Sequence, residues 1–427
     1  MRRLIAAFFL ILLAFWATQM EMWDSKKVTI IPEESVIPID WELHLNNLGY
    51  SLYKQDTESE ELSKSLPLYA KAAVLLDANS GRVLYGKSAD IELPMASTTK
   101  IMTCILALEN GNLEDIVTVS SYAASQPEVK LGIRAGENYR MNDLLYAMML
   151  TSYNDCAVAI AEHIGGSAEG FAEMMNEKAL DLGCYSTWFI TANGLDAEND
   201  GGTHRTTATD LAKILAYAIN NDTFLSITQT SAHAFTDCSG KRSFTAMNKN
   251  AFLTMMDGVL SGKTGYTNDA GYCYAGALSK DGKTLVTVVL GSGWPPHKTR
   301  KWSDTKNLMN YGLKNYSSVI VGDKKRVTEV KIPVNNGIRP YATVGLDWSE
   351  RSVLMKEGEN ITARVQIPNQ LSAPLTKGTV VGYLSLYLND EPILFVPAVL
   401  TETVETFSFF YCFEHIFAYY FDISSKM

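Results

Sequence analysis

The chain opens on an apolar block, residues 4–17, directly behind Arg2 and Arg3. A basic pair before an apolar run of that length is the arrangement of an export signal. Phe15 spoils a small-x-small cleavage site, so residues 1–20 are expected to act as a removed signal or as a retained N-terminal anchor. Residues 21–66 show no period: Pro32 and Pro38 interrupt them, and Asp56-Thr57-Glu58-Ser59-Glu60-Glu61 is a solvated acidic run. This stretch reads as a spacer.

Order begins near Ala72. Residues 72–76 and 82–85 read as two strands around the turn Asn79-Ser80-Gly81. Residues 101–108 are apolar nearly all round, which predicts a buried helix ending at Gly111. Helices follow over 142–150, capped by Asn142 or Asn138, over 156–163 after the polar break 151–155, and over 169–182 and 209–219. Past Asp257 the pattern turns to strands. Residues 271–278 and 284–290 flank Lys280-Asp281-Gly282-Lys283, and Asp-Gly between apolar runs predicts a hairpin. A last helix is expected over 303–311, packed on that sheet. Strands at both ends with helices between them predict an α+β domain over 67–316, an antiparallel sheet carrying a helical insertion.

Residues 319–400 alternate or run β-branched at 327–332, 361–367 and 380–387, as a small all-β domain would. The tail, 405–423, is aromatic. On a helix, Phe409, Phe410, Phe413, Ile416, Phe417, Tyr420 and Phe421 share one face, opposite Ser408, Tyr411, Glu414, His415 and Ala418. That outlines an interfacial amphipathic helix, although its polar face lacks lysine and arginine. Docking on the β domain is the alternative.

Composition narrows the classes. The 427 residues are 47% hydrophobic, enough for a sizeable core in two domains. A net charge of −10 excludes a nucleic-acid footprint. The six cysteines form no C-x-x-C pair and the six histidines no metal-ligand spacing, so neither a metal nor another cofactor is expected. Cys104, Cys156 and Cys273 read as buried thiols.

Three short polar patterns carry the candidate chemistry. Ser97 and Lys100 lie three apart at a helix mouth marked by Pro94, so Oγ and Nζ can meet on one face. A serine needs an adjacent base to attack a carbonyl, and a desolvated lysine can serve. Spacing alone proves little, because Ser51–Lys54 and Ser303–Lys306 share it. Ser152-Tyr153-Asn154 falls in the break between two helices, and Lys263-Thr264-Gly265 precedes the hairpin.

The order S-x-x-K, S-x-N, K-T-G resembles the penicillin-recognising serine acyl transferases. Leu76-Asp77-Ala78-Asn79-Ser80-Gly81-Arg82-Val83-Leu84-Tyr85, Ala96-Ser97-Thr98-Thr99-Lys100-Ile101-Met102-Thr103 and Lys263-Thr264-Gly265-Tyr266-Thr267 resemble low-molecular-mass penicillin-binding proteins, specifically D-alanyl-D-alanine carboxypeptidases, over about 72–313. The resemblance implies an acyl-enzyme on Ser97, with Lys100 as an uncharged base. It makes Ser152 the relay to the leaving amine and Asn154 the holder of the substrate amide. Lys263 and Thr264 would receive the terminal carboxylate, Gly265 would let substrate backbone approach, and the N–H groups of Ser97 and Tyr266 would form the oxyanion hole. Arg300 or Lys298 is a further carboxylate contact, set against a solvated charge run. His204 reads as a structural loop residue. The implied partners are peptidoglycan stem peptides ending in D-Ala-D-Ala, β-lactams as covalent inhibitors, and a membrane surface on the outer side of the cytoplasmic membrane.

Tyr153, where the family has a small residue, and Cys156 depart from the pattern and bear on substrate preference. Ser261-Gly262-Lys263-Thr264 is not a phosphate loop, because Asp257 occupies the glycine position and a turn follows. A class A β-lactamase would need a deacylating glutamate, and neither Glu173 nor Glu198 sits in the required pattern. A cell-wall sensor that keeps the fold without turnover is the non-enzymatic rival.

Overall fold

The computed structural model describes residues 66–321, 327–347, 351–388, 391–413 and 416–417. The expected export segment and nearly all of the spacer lie outside them. In chain order the first elements are strands β1 (Ala72–Asp77) and β2 (Val83–Lys87), then helices α1 (Lys100–Asn110), α2 (Met141–Thr151), α3 (Asn154–Gly165), α4 (Ala168–Asp181), α5 (Ala208–Ala218) and α6 (Asp222–Gln229). Next come the hairpin β3 (Ala232–Thr236) and β4 (Ser243–Met247), strands β5 (Val259–Thr267), β6 (Gly271–Lys280) and β7 (Lys283–Leu290), and helix α7 (Arg300–Asn315).

Strands β2-β1-β7-β6-β5 form one antiparallel sheet in that order. Every residue of β1 is buried because the sheet is covered on both faces. Ala72, Val74 and Leu76 join the large core under the helical lobe, while Ala73 and Leu75 join the cluster under α7. Gly312 lets α7 settle on the sheet, since a Cβ there would lie 2.8 Å from Leu285 and 2.9 Å from Leu75. The Asp-Gly turn forms as expected: Asp281 (φ 54°) and Gly282 (φ 72°) are both left-handed, the geometry that matches strand twist in a two-residue hairpin.

Two local expectations need correction. Helix α2 starts after Arg140, which makes no side-chain cap, and Asn138 instead belongs to a short strand paired with residues 116–118. Helix α3 begins at Asn154 rather than at 156, so the interruption between α2 and α3 shrinks to Ser152 and Tyr153.

Strand β8 (Tyr316–Val321) leaves α7 directly and pairs with β11 (Arg351–Lys356) after β9 (Val327–Asn335) and β10 (Tyr341–Asp347). With β12 (Ile361–Gln366), β13 (Val380–Leu388) and β14 (Glu391–Leu400), these build a β-rich unit with its own core. Arg82, in the β1–β2 turn, ion-pairs with Glu359 and donates to the Leu354 carbonyl, locking the two units together. In the tail, residues 409–413 and 416–417 are helical. Phe409, Phe413 and Phe417 stack in series at 6.2 and 5.8 Å and stay about half exposed, with Phe410 at 76%. Docking of this face on the β domain is therefore not observed. Among the described residues no helix is long and apolar enough to cross a membrane, and none of the six cysteines is disulfide-bonded.

Candidate active site

A 3-10 turn, Ala96–Thr99, delivers Ser97 to the mouth of α1. Ala96 takes a left-handed φ of 49°, and its carbonyl accepts from Thr99 Oγ1 at 2.9 Å. The turn presents Ser97 half-buried while Thr98, Thr99 and Lys100 are fully enclosed.

Lys100 Nζ is fully buried and has three oxygen neighbours: Ser97 Oγ at 2.9 Å, Asn154 Oδ1 at 2.9 Å and the Asn193 carbonyl at 2.6 Å. The Asn154 amide is oriented by its other end, which donates to the Pro127 carbonyl at 3.2 Å. Two of the three neighbours of Nζ can therefore only accept. A neutral amine has two hydrogens and a lone pair. Uncharged, it can give its hydrogens to Asn154 and Asn193 and leave the lone pair for the Ser97 hydroxyl hydrogen. Burial, and then the Lys263 ammonium, hold Lys100 well below the ordinary lysine range, which favours the neutral form.

Ser152, left-handed at φ 71°, sits between α2 and α3, where its Oγ accepts from Lys263 Nζ at 2.8 Å. Lys263 on β5 is 2% exposed and also donates to its neighbour's carbonyl, Thr264 O, at 3.0 Å. Burial, with Lys249 and Lys301 adding repulsion, lowers Lys263 to about 7. Gly265 follows, close against the turn that carries Ser97. A Cβ there would meet Met95 O at 3.0 Å and Ser97 N at 3.1 Å. Tyr266 is next along β5, its ring on Tyr272 at 4.7 Å. Ser97, Lys100, Ser152, Asn154, Lys263 and Gly265 thus meet between the helical lobe and the edge strand of the sheet, with Thr264 and Tyr266 on either side of Gly265 in that strand.

Arg300 is placed differently. It opens α7, and its guanidinium lies over the Tyr69 ring at 4.5 Å, outside this hydrogen-bonded cluster. The buried cation is its neighbour Lys301, 8% exposed and set over Tyr272 and Trp302 at 4.7 and 4.8 Å. Tyr153 packs its ring partly buried against the helical core, and Cys156 is fully buried with a thiol pushed far up by burial. Glu173 and Glu198 are exposed. Among the described residues no group of three metal-ligating side chains occurs.

Asn193-Gly194 lies outside the three motifs, and its part in holding Lys100 is not among the sequence expectations. The signal it carried was the glycine: Gly194 has φ 83°, and a Cβ there would lie 2.1 Å from the Ala96 carbonyl. His204 is structural and packs against the turn that carries Ser97. Its Nδ1 accepts from Ile190 N at 3.0 Å, and Nε2 lies 2.8 Å from Thr99 Oγ1. Because Nδ1 must accept, the ring proton is on Nε2, and burial together with Lys100 lowers His204 to about 4.

The fold and the meeting of S-x-x-K, S-x-N and K-T-G at one cleft define the penicillin-recognising class. Residues 57–293 match the family described as D-alanyl-D-alanine carboxypeptidase, and residues 322–406 match the one described as penicillin-binding protein 5, C-terminal domain. The chain is 31% identical to D-alanyl-D-alanine carboxypeptidase DacF of Bacillus subtilis over 349 residues, 80% of this chain and 87% of the relative. Among solved structures it is similar to penicillin binding protein 5 from Haemophilus influenzae, with TM-score 0.66 and 26% identity over 79% of this chain and 98% of that one. A Streptomyces K15 DD-transpeptidase, solved as a point mutant, matches at TM-score 0.53 and 30% identity over 58% of this chain and 98% of that one. The chain belongs to the D-alanyl-D-alanine carboxypeptidase family.

Proposed function

We propose that the cleft removes the terminal D-alanine from peptidoglycan stem peptides through an acyl-enzyme on Ser97, and that penicillins acylate the same oxygen. The observation that carries this reading is the buried Lys100 amine, 2.9 Å from Ser97 Oγ and held by two groups that can only accept. Ser97 Oγ attacks the carbonyl carbon of the penultimate D-alanine while its proton passes to Lys100. The N–H groups of Ser97 and Tyr266 stabilise the oxyanion. The C–N bond then breaks, and the leaving D-alanine takes a proton through Ser152. Water, with Lys100 again as base, releases the shortened peptide. Asn154 holds the peptide amide. Lys263 and Thr264 receive the terminal carboxylate, whose charge favours the protonated Lys263 once bound. Lys301 adds positive field behind that subsite. Arg300 joins it only by leaving Tyr69.

Mass spectrometry tests the nucleophile. Wild type should gain one benzylpenicillin and release D-alanine from a diacyl tripeptide, and Ser97→Ala should do neither. An adduct on Ser97→Ala would refute the assignment. Rapid turnover of a chromogenic cephalosporin would favour the β-lactamase reading, and an adduct without D-alanine release the sensor. We further propose export by residues 1–20 to the outer face of the cytoplasmic membrane, with the exposed ring face of the tail resting on lipid. Flotation with anionic lipid vesicles should be lost on truncation after residue 404.

A further inference from the structure

The residue after Asn154 is a carboxylate that takes no part in the chemistry above. Asp155 is fully buried and pairs with no cation among the described residues. Its Oδ1 accepts from Leu131 N at 2.9 Å and Cys156 N at 3.0 Å, and its Oδ2 from Gly132 N at 2.7 Å and Ile133 N at 3.2 Å. Three of these four donors belong to one loop, residues 131–133.

The same loop touches the cleft at three other points. The Pro127 carbonyl accepts from Asn154 Nδ2 at 3.2 Å, and the Val129 carbonyl accepts from Asn154 N at 2.7 Å. Gln126 Oε1 accepts from Asn193 Nδ2 at 2.9 Å. From outside, Arg242 donates to the Gly132 carbonyl at 3.0 Å. Pro127, Glu128 and Val129 are exposed, so the middle of the loop has no apolar anchor. Leu131 and Ile133 pack on the core beside the carboxylate, and packing and hydrogen bonds together anchor the end of the loop from which residues 127–129 extend.

We infer that Asp155 is a positioning residue for acyl transfer: by clamping residues 131–133 it keeps the Pro127 and Val129 carbonyls on Asn154, and so fixes which end of the Asn154 amide faces Lys100. This rests on the roles proposed for Ser97, Lys100 and Asn154. Without the clamp the amide can turn its NH2 toward Lys100. The amine then loses one of the two acceptors that aim its lone pair at Ser97. The charge itself also matters. The titratable groups facing Lys100 are Lys263 from β5, Cys156 and Asp155 from α3, and His204 from the loop before α5. Lys263 pushes Lys100 down, whereas Asp155 pulls it up.

Two variants of the full chain test this by the second-order rate of acylation with benzylpenicillin, measured from about pH 5 to about pH 9 beside a urea midpoint. Asp155→Asn puts an NH2 against backbone N–H donors and removes the charge. It should acylate about tenfold more slowly at neutral pH, as one mis-set hydrogen bond predicts, with its acid limb moved to lower pH. Gly132→Ala leaves every catalytic group in place. Its Cβ would meet nothing within 4 Å, but its φ of 81° strains the loop alone. It should slow acylation severalfold with an unmoved acid limb. If both variants acylate at the wild-type rate, or if Asp155→Asn is slow while Gly132→Ala is not, the clamp is refuted. Should Asp155→Asn fail to fold, Gly132→Ala decides alone. A wild type that takes up no penicillin at all would instead refute the nucleophile reading.

Discussion

Replacing Lys263 by glutamine separates its two roles, as a partner for the substrate carboxylate and as the cation that keeps Lys100 neutral. Glutamine reaches toward Ser152 Oγ with a neutral donor, so shape and one hydrogen bond are kept while the charge goes. A bond to a charged group contributes about 1.5–3 kcal/mol against about 0.5–1.5 for a neutral one, so kcat/KM for a D-Ala-D-Ala peptide should fall roughly tenfold below pH 7. The pH profile is more telling than the fall itself. In wild type, kcat/KM reports the free enzyme, where Lys263 titrates at about 7. Above that value the cation is lost, leaving about 1% of charged lysine at pH 9, so activity declines toward the level a neutral donor supports. Lys263→Gln has no such limb, and the two curves should converge by about pH 9. On the acid side the direction is also fixed. Lys263 is the second cause, after burial, of the lowered Lys100. Without it Lys100 holds its proton more strongly, so the acid limb moves upward. D-alanine release from a diacyl tripeptide between about pH 5 and about pH 10 reads both limbs. An alkaline limb that survives in Lys263→Gln, or an acid limb that moves down, would refute the reasoning.

Gly194→Ala should cost about 3 kcal/mol or more in urea denaturation and lower acylation at least about 100-fold, because its Cβ collides with the Ala96 carbonyl at 2.1 Å and its φ is 83°; normal acylation by the folded variant would contradict that. His204 is lowered in the folded protein to about 4 from 6.5, so its contribution to stability is complete above about pH 6.5 and drains as pH falls toward 4. The loss between pH 8 and pH 5 should be about 2 kcal/mol by urea denaturation, and His204→Gln should flatten that slope. Arg82→Ala breaks a pair whose side chains are 16% and 13% exposed, and should lower stability by about 2 kcal/mol. An unchanged urea midpoint would show that the two units are held by packing alone.

Much of this was legible where one local rule settled the outcome. The all-round apolar run after Lys100 had to be a buried helix, and Asp281-Gly282 had to be a two-residue turn. What misled was polarity without context. Thr151-Ser152-Tyr153-Asn154-Asp155 read as a polar break between helices, yet Asn154 and Asp155 belong to α3 and are 4% and 0% exposed. Most of their partners are backbone groups of residues 127–133, more than twenty positions away, and no periodicity can announce a match of that kind. Asn193 was missed for a related reason. It serves Lys100 through its carbonyl, which every residue type possesses, so the letter at that position carries little of the information. Arg300 or Lys298 was read as the carboxylate contact and Lys301 was not, because the helix was expected from 303, whereas it starts at Arg300 and sets Lys301 over Tyr272 and Trp302.

The groups around Lys100 pull its proton in opposite directions, and the balance explains why no carboxylate touches it. Asn154 Oδ1 and the Asn193 carbonyl both accept from Nζ, which by itself favours the ammonium. Complete burial and the Lys263 charge oppose them and prevail. Neutral acceptors are weak enough for that outcome, whereas an ion-paired carboxylate at either position would pin the ammonium and leave Ser97 without a base. Asp155 lies close enough to be felt, but its oxygens are committed to four backbone N–H groups. Its oxygens serve the loop, and only its charge reaches the lysine. The cleft therefore needs its buried acid turned outward from Lys100 as much as it needs the lysine itself.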